Sequence, residues 1–89
     1  MQTSQHARIR MQQRGISEQI VRNIIAYGDT RRVPGGAQAR FVSKKSLKAL
    51  SNTLPKNDCI ELERHKNVYV VMSDGAIITV GHRHKRFLN

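Results

Sequence analysis

The stretch that decides the fold is VYVVMSDGAIITVGH, residues 68–82. Val68 to Met72 is an unbroken run of strand-forming residues, and Asp74-Gly75 supplies the two positive φ angles of a tight type I′ hairpin loop. Residues 76–82 are therefore predicted to return as the partner strand. The cross-strand pairs of a regular hairpin are Met72 with Ile77, Val71 with Ile78, Val70 with Thr79 and Tyr69 with Val80.

Regular alternation along this hairpin also predicts which side chains share a face of the sheet. Tyr69 lies on the same face as His82 and, while the strand persists, His84, whereas Arg83 lies on the other face. Both faces carry apolar residues. The pattern therefore leaves open which of the two faces meets the helices.

Two helices are predicted ahead of the sheet. Residues 4–14 contain no Gly or Pro, Thr3 or Ser4 can cap the first helix, and Gly15 suits its left-handed end. Residues 17–28 place apolar side chains at positions i, i+1, i+4 and i+5, which form one apolar helix face. This second helix is expected to be the main apolar cover of the sheet.

The middle of the chain predicts further strands. Residues 31–33 and 37–42 are two short strands about the turn Pro34-Gly35-Gly36. Residues 43–54 are compatible with either a short helix or a mobile basic loop. Residues 59–64 alternate between apolar and acidic side chains, which indicates a half-buried strand.

These elements predict one α+β domain over residues 1–89. Two N-terminal helices pack on one face of a curved antiparallel sheet of four to five strands. A chain of 89 residues is too short for two domains. The other face of the sheet is expected to remain partly open as a possible cleft.

The composition favours a polyanion as partner. Sixteen Lys and Arg residues against six Asp and Glu give a formal net charge of +10, which suits nucleic acid. A solvated basic surface or an acidic protein partner would explain the same charge. The single cysteine, Cys59, cannot form an internal disulfide, and no apolar run is long enough to span a membrane, so a cytoplasmic location is expected.

Two basic clusters could carry the function. His6, Arg10 and Arg14 recur every four residues and form what we call the cationic row on the first helix. Residues 82–86 form a dense basic tail. Metal binding by histidines of these clusters is disfavoured, because acids are few and a field of Arg and Lys repels a divalent cation. No metal and no cofactor is expected.

A metal-independent ribonuclease is the enzyme compatible with these residue types. Cleavage of RNA by its own 2′-hydroxyl needs a proton acceptor, a cation for the phosphorane-like transition state and a proton donor for the leaving oxygen. Each residue alone is more often a surface group, so a non-catalytic binding module is the alternative. The candidates for catalysis are His82, His84, Arg83 and Tyr69, and those for nucleic-acid binding are His6, Arg10, Arg14, Arg40, Lys44, Lys45, Lys85 and Arg86.

The segments SQHARIRMQQRGIS (4–17), VRNIIAYGD (21–29) and DGAIITVGHR (74–83) together resemble a known family. It is a small phage- and plasmid-associated domain family of unknown function with the pattern H-x-x-x-R-x-x-x-R-G-I, grouped with the RelE/ParE toxin superfamily. By this resemblance the cationic row and Gly15 take the motif positions. RelE-type nucleases have a late tyrosine, whereas this chain has none after Tyr69.

The resemblance implies two compact helices on a curved antiparallel sheet. It also implies toxin action on ribosome-bound messenger RNA or on gyrase, and neutralisation by an antitoxin. The expected function is therefore that of a toxin-type basic protein acting on RNA, a metal-independent endoribonuclease with an acidic antitoxin as possible partner. A nucleic-acid-binding or protein-interaction module of the same fold is the alternative.

Overall fold

Strands from both ends of the described chain meet in one five-stranded sheet. The computed structural model describes residues 2–82. The helices are α1 (Gln5–Arg14), α2 (Glu18–Tyr27), α3 (Lys44–Leu50) and α4 (Lys56–Arg64), and the strands are β1 (Gln2–Thr3), β2 (Asp29–Arg32), β3 (Gln38–Phe41), β4 (Val68–Ser73) and β5 (Ala76–His82).

The sheet has the order β1-β5-β4-β3-β2. β1 pairs with β5 in parallel, and the other neighbours are antiparallel. The predicted α+β class is confirmed, although the described chain has four helices rather than two and the sheet is mixed. The parallel strand β1 was not predicted because two residues carry no alternation that a pattern could reveal.

The helices cover the face of the sheet on which Val68, Val70 and Val80 lie. These three residues belong to the same buried cluster as Ile24 of α2 and Leu62 of α4, each of which is only 1% exposed. Burying a side chain of this size stabilises the fold by about 1.5 to 3 kcal/mol. α2 is thus part of the main apolar cover, as predicted, and α4 is a second part that the sequence did not reveal.

Both N-terminal helices begin and end as their sequences predict. The Ser4 hydroxyl accepts a hydrogen bond from the Ala7 amide at 3.0 Å, and Ser17 accepts one from Ile20 at 3.2 Å. Gly15 has φ 66° and ends α1 in the left-handed conformation that glycine adopts at least cost. Local capping chemistry therefore sets these boundaries.

Of the two structures compatible with the sequence of residues 43–54, the helix is the one observed, since residues 44–50 form α3. The Asp29 carboxylate fixes its start, because it accepts a hydrogen bond from the Ser43 amide at 3.1 Å and from the Ser46 hydroxyl at 2.9 Å. Ser43 caps the helix by accepting a hydrogen bond from the Ser46 amide. The link from Asp29 therefore ties α3 to the first residue of β2.

The predicted strand over residues 59–64 is wrong, because this segment lies within helix α4. Pro55 at the N-cap has φ −54°, close to a helical value, and Asp58 complements the helix dipole in the first turn. Leu62 is buried, but Ile60 is 45% exposed. The two apolar residues therefore do not share one buried face, as a strand would require.

β4 and β5 form the predicted hairpin, but a β-bulge changes its register. Met72 pairs with Ile77 as predicted, and Ile78 then has no partner on β4. The other three predicted pairs are wrong by one residue. The observed pairs are Val71 with Thr79, Val70 with Val80, Tyr69 with Gly81 and Val68 with His82.

Ser4 stabilises the bulge from the neighbouring edge. Its amide donates to the Ile77 carbonyl oxygen at 2.9 Å, and its hydroxyl donates to the Ile78 carbonyl oxygen at 2.8 Å. The same hydroxyl caps α1. One side chain therefore joins the start of α1 to the irregular part of β5.

Ser4→Ala tests this double role. The substitution removes the cap of α1 and the bond to the Ile78 carbonyl, and we expect the free energy of unfolding to fall by about 1 to 2 kcal/mol. Urea denaturation followed by circular dichroism measures the loss. Ser51→Ala is the matched control, since the Ser51 hydroxyl bonds only within its own helix end, to the Lys48 carbonyl. Equal losses in the two variants would contradict the role of Ser4.

Candidate nucleic-acid interface

Among the described residues, carboxylates pair with Arg22 of α2 and Arg64 of α4 but with no cation of α1. Within residues 2–82, Arg22 pairs with Glu18 at 3.8 Å and Arg64 with Glu61 at 3.5 Å. A third pair, from Lys66 to Glu63, adjoins α4. α1 and α3 contain no acidic residue, and no described carboxylate forms an ion pair with their cations. Most of the unpaired cations of the described chain therefore lie on α1, β2 and α3, and Arg40 of β3 and Lys56 of α4 add to them.

The cationic row lies along α1, which packs on β5. His6 and Arg14 are exposed. Arg10 is half-buried, and its Nε is shielded from solvent without a hydrogen-bond partner among the described residues. Arg10 is thus held close to the body of the domain, while the other two side chains face solvent.

The bulge decides which face of the sheet carries His82. Paired residues of an antiparallel ladder share a face, and His82 pairs with the fully buried Val68. His82 therefore lies on the helix-covered side of the sheet, where it is exposed at the end of β5. The cationic row and His82 belong to the same side of the sheet.

Tyr69 lies on the opposite face, so the prediction that it shares a face with His82 is wrong. It pairs with Gly81, and its ring lies over that glycine, where an added Cβ would approach the Tyr69 hydroxyl oxygen to 2.9 Å. The physical reason is the unpaired Ile78, because one extra residue reverses the facing of every later side chain. The sheet therefore separates two of the predicted catalytic residues.

Within residues 2–82 no group of three His, Cys, Asp or Glu side chains is arranged to hold a metal ion. Among the same residues no helix is long and apolar enough to cross a membrane. The predicted tail residues lie outside the described residues. They are Arg83, His84, Lys85 and Arg86.

Residues 3–86 match the model of a family described as a domain of unknown function, DUF4258. The chain belongs to the DUF4258 family. Comparisons with curated proteins and with solved structures give no significant match. The resemblance to a family of unknown function is confirmed, whereas the relation to the RelE/ParE superfamily stays a prediction.

Arg40 is engaged inside the DUF4258 domain. Its Nη1 donates to the Ile25 carbonyl oxygen near the end of α2 at 3.0 Å, and its Nε is buried without a hydrogen-bond partner in the described part of the chain. Arg40 pairs with the buried Val70 and so lies on the helix side of the sheet. Arg40, which was predicted to bind phosphate, therefore makes a contact that joins β3 to α2.

Several exposed cations were not among the predicted site residues. Arg31 and Arg32 lie on the edge strand β2, and Lys48 follows Lys44 and Lys45 on α3. Arg31 pairs with Ala39 and so shares the open face of the sheet with Tyr69. The signal that could have revealed them was the absence of acidic residues between 30 and 57.

A double-mutant cycle on Tyr69 and Gly81 tests the bulged register. Gly81→Ala forces the Tyr69 ring to move, and we expect a loss of about 1 kcal/mol that largely disappears in a Tyr69→Ala background. Denaturation of the four proteins gives the coupling free energy. The control cycle uses Gly15→Ala, since a Cβ at Gly15 meets no atom within 4 Å and its cost, which comes from the positive φ, does not depend on the Tyr69 ring. Additive losses for Gly81 and Tyr69 would contradict the observed pairing.

Proposed function

We propose that this DUF4258 domain is a toxin-type basic protein that acts on RNA as a metal-independent endoribonuclease. The cationic row binds the phosphate backbone, and His82 transfers a proton. The observation that carries the proposal is the bulge in β5, because it turns His82 to the side of the sheet on which α1 packs. A relation to the RelE/ParE superfamily is part of this proposal.

The charge distribution supports RNA as the substrate. Arg10 and Arg14 have no carboxylate partner among the described residues, so a phosphate group can bind them without breaking an ion pair. Aromatic residues make up only 4% of the chain, which disfavours binding by several stacked bases. Phosphate contacts dominate such an interface and make its affinity depend on salt.

The proposed reaction uses only groups of the RNA and of the protein. The 2′-oxygen attacks the neighbouring phosphorus, the bond from phosphorus to the 5′-oxygen breaks, and a 2′,3′-cyclic phosphate and a 5′-hydroxyl result. One imidazole accepts the 2′-hydroxyl proton, and a second donates a proton to the 5′-oxygen. His82 and His6 are two such groups on one side of the sheet, and Arg10 and Arg14 stabilise the charge of the transition state.

A second candidate function is RNA binding without cleavage. It is favoured by a specific observation, because no hydrogen bond within residues 2–82 orients either His6 or His82. An imidazole that acts as acid or base usually has a partner that fixes its orientation. In this alternative the cationic row binds RNA and the histidines are ordinary surface residues.

Binding is tested with fluorescence-labelled single-stranded RNA at several salt concentrations. Arg10→Ala combined with Arg14→Ala removes two phosphate contacts, so we expect about tenfold weaker binding and a salt slope reduced by about 1.4. The matched control is Arg22→Ala with Arg64→Ala, which removes two arginines that pair with carboxylates. Equal effects of the two double variants would show that only net charge matters.

Cleavage is tested on the same RNA in the presence of a chelator. His82→Ala is expected to lower the cleavage rate by about 10² to 10⁴, the usual contribution of one acid or base, while RNA binding is retained. Tyr69→Phe is expected to change the rate little, because Tyr69 lies on the other face of the sheet. Binding without cleavage by the unmodified protein would refute the nuclease and support the second function.

A further inference from the structure

We propose that the groove between α3 and α4 binds an acidic amphipathic helix of a partner protein. Two adjoining hollows of about 350 and 320 Å³ lie between these helices and share Leu47 and Glu63 as lining residues. We call them together the α3–α4 groove. It is a different surface from the cationic row, since α1 packs on β5 whereas α4 packs on α2 and α3.

The floor of the α3–α4 groove is apolar and incompletely covered. Ile60 is 45% exposed, and Leu47 and Cys59 are half-buried. The Cys59 Sγ donates to the carbonyl oxygens of Leu50 and Leu54 at 3.6 and 3.7 Å, so the thiol is a fixed part of this floor. α3 contains no fully buried residue although Leu47 and Leu50 lie on it. A partner that covers the groove would complete the burial of this helix.

The rim of the α3–α4 groove is cationic. Lys44 and Lys48 line one hollow and Lys56 lines the other, and none of the three pairs with a described carboxylate. Glu63 is the acidic lining residue, and it forms an exposed pair with Lys66 at 3.8 Å. Such a pair is worth at most about 1 kcal/mol and exchanges easily. The rim therefore complements carboxylates that flank an apolar stripe.

The shape of the groove favours a helix as its occupant. Both walls are helices whose backbone groups are already hydrogen-bonded, so an extended strand would find no edge with which to pair, whereas a helix satisfies its own backbone. α4 has nine residues, and at 1.5 Å per residue it offers about 14 Å, or two to three turns of a partner helix. RNA is a poorer fit, because phosphate and ribose gain little from Ile60 and Leu47.

The test uses a synthetic fluorescent peptide of about 14 residues with Leu at i, i+3, i+4 and i+7 and Glu on both flanks of that stripe. We expect it to bind the full protein with saturation in fluorescence anisotropy. A peptide of the same composition with the Leu positions scrambled, and one with Lys in place of Glu, should not bind. Equal binding of the scrambled peptide would overturn the proposal, since charge alone would then suffice.

Variants of the protein locate the binding surface. We expect Ile60→Ser to lower the affinity for the peptide about tenfold. The double variant Lys44→Glu with Lys48→Glu should lower it by a similar factor. The charge-matched control is Arg31→Glu with Arg32→Glu on β2, which should leave the peptide affinity unchanged. Circular dichroism and thermal unfolding verify that each variant is folded. An equal loss in the control would overturn the proposal.

RNA binding by the same variants separates this proposal from the proposed function. Ile60→Ser should bind RNA like the unmodified protein, because Ile60 lies on α4, which packs on α2 and α3, whereas the cationic row lies on α1, which packs on β5. If Ile60→Ser weakens RNA binding as much as peptide binding, then RNA binds in the groove and the helix proposal is overturned. If the protein binds the peptide and no RNA, the proposed function fails while the groove proposal stands.

Discussion

The unpaired residue Ile78 is the constraint on which the arrangement of the sheet depends. Ser4 bonds to the carbonyl oxygens of Ile77 and Ile78, so the N-terminal segment, the first turn of α1 and the bulge are one hydrogen-bonded unit. Because of the extra residue, Val80 lies in the core and His82 emerges on the side of the helices. Without it, regular pairing would place Tyr69 opposite Val80, and the two faces after Ile77 would be exchanged.

The features that the sequence revealed were those with local causes. The caps at Ser4 and Ser17, the left-handed Gly15 and the Asp74-Gly75 loop each depend on neighbouring residues alone, and all four occur in the structure. The bulge depends on packing, because the segment from Ile77 to Val80 offers apolar side chains in either register. After a one-residue shift both faces still carry apolar side chains, so the sequence pattern does not predict the bulge.

The candidate site also combines features that the sequence reveals with features that depend on tertiary structure. The excess of basic residues was evident from composition, and the absence of acids from α1 was evident from its sequence. Whether Arg64 is neutralised depends on helix α4, where Glu61 lies three residues before it. The alternation of Ile60 and Leu62 with glutamates hid this helix, since a stretch of six residues fits either period. The contact from Arg40 to the Ile25 carbonyl arises from tertiary structure and has no signal in the sequence.

Unpaired cations oppose folding. Like charges on a small domain repel one another, and the exposed pairs at Glu18, Glu61 and Glu63 return little free energy. The stability of this domain therefore comes from the core around Ile24 and Leu62. A bound anion relieves the repulsion and stabilises the folded state by an amount that rises with the logarithm of its concentration relative to its Kd. Under the two proposals, RNA relieves this repulsion at the cationic row and an acidic helix relieves it at the rim of the α3–α4 groove, and the apolar floor of the groove is what distinguishes the two surfaces.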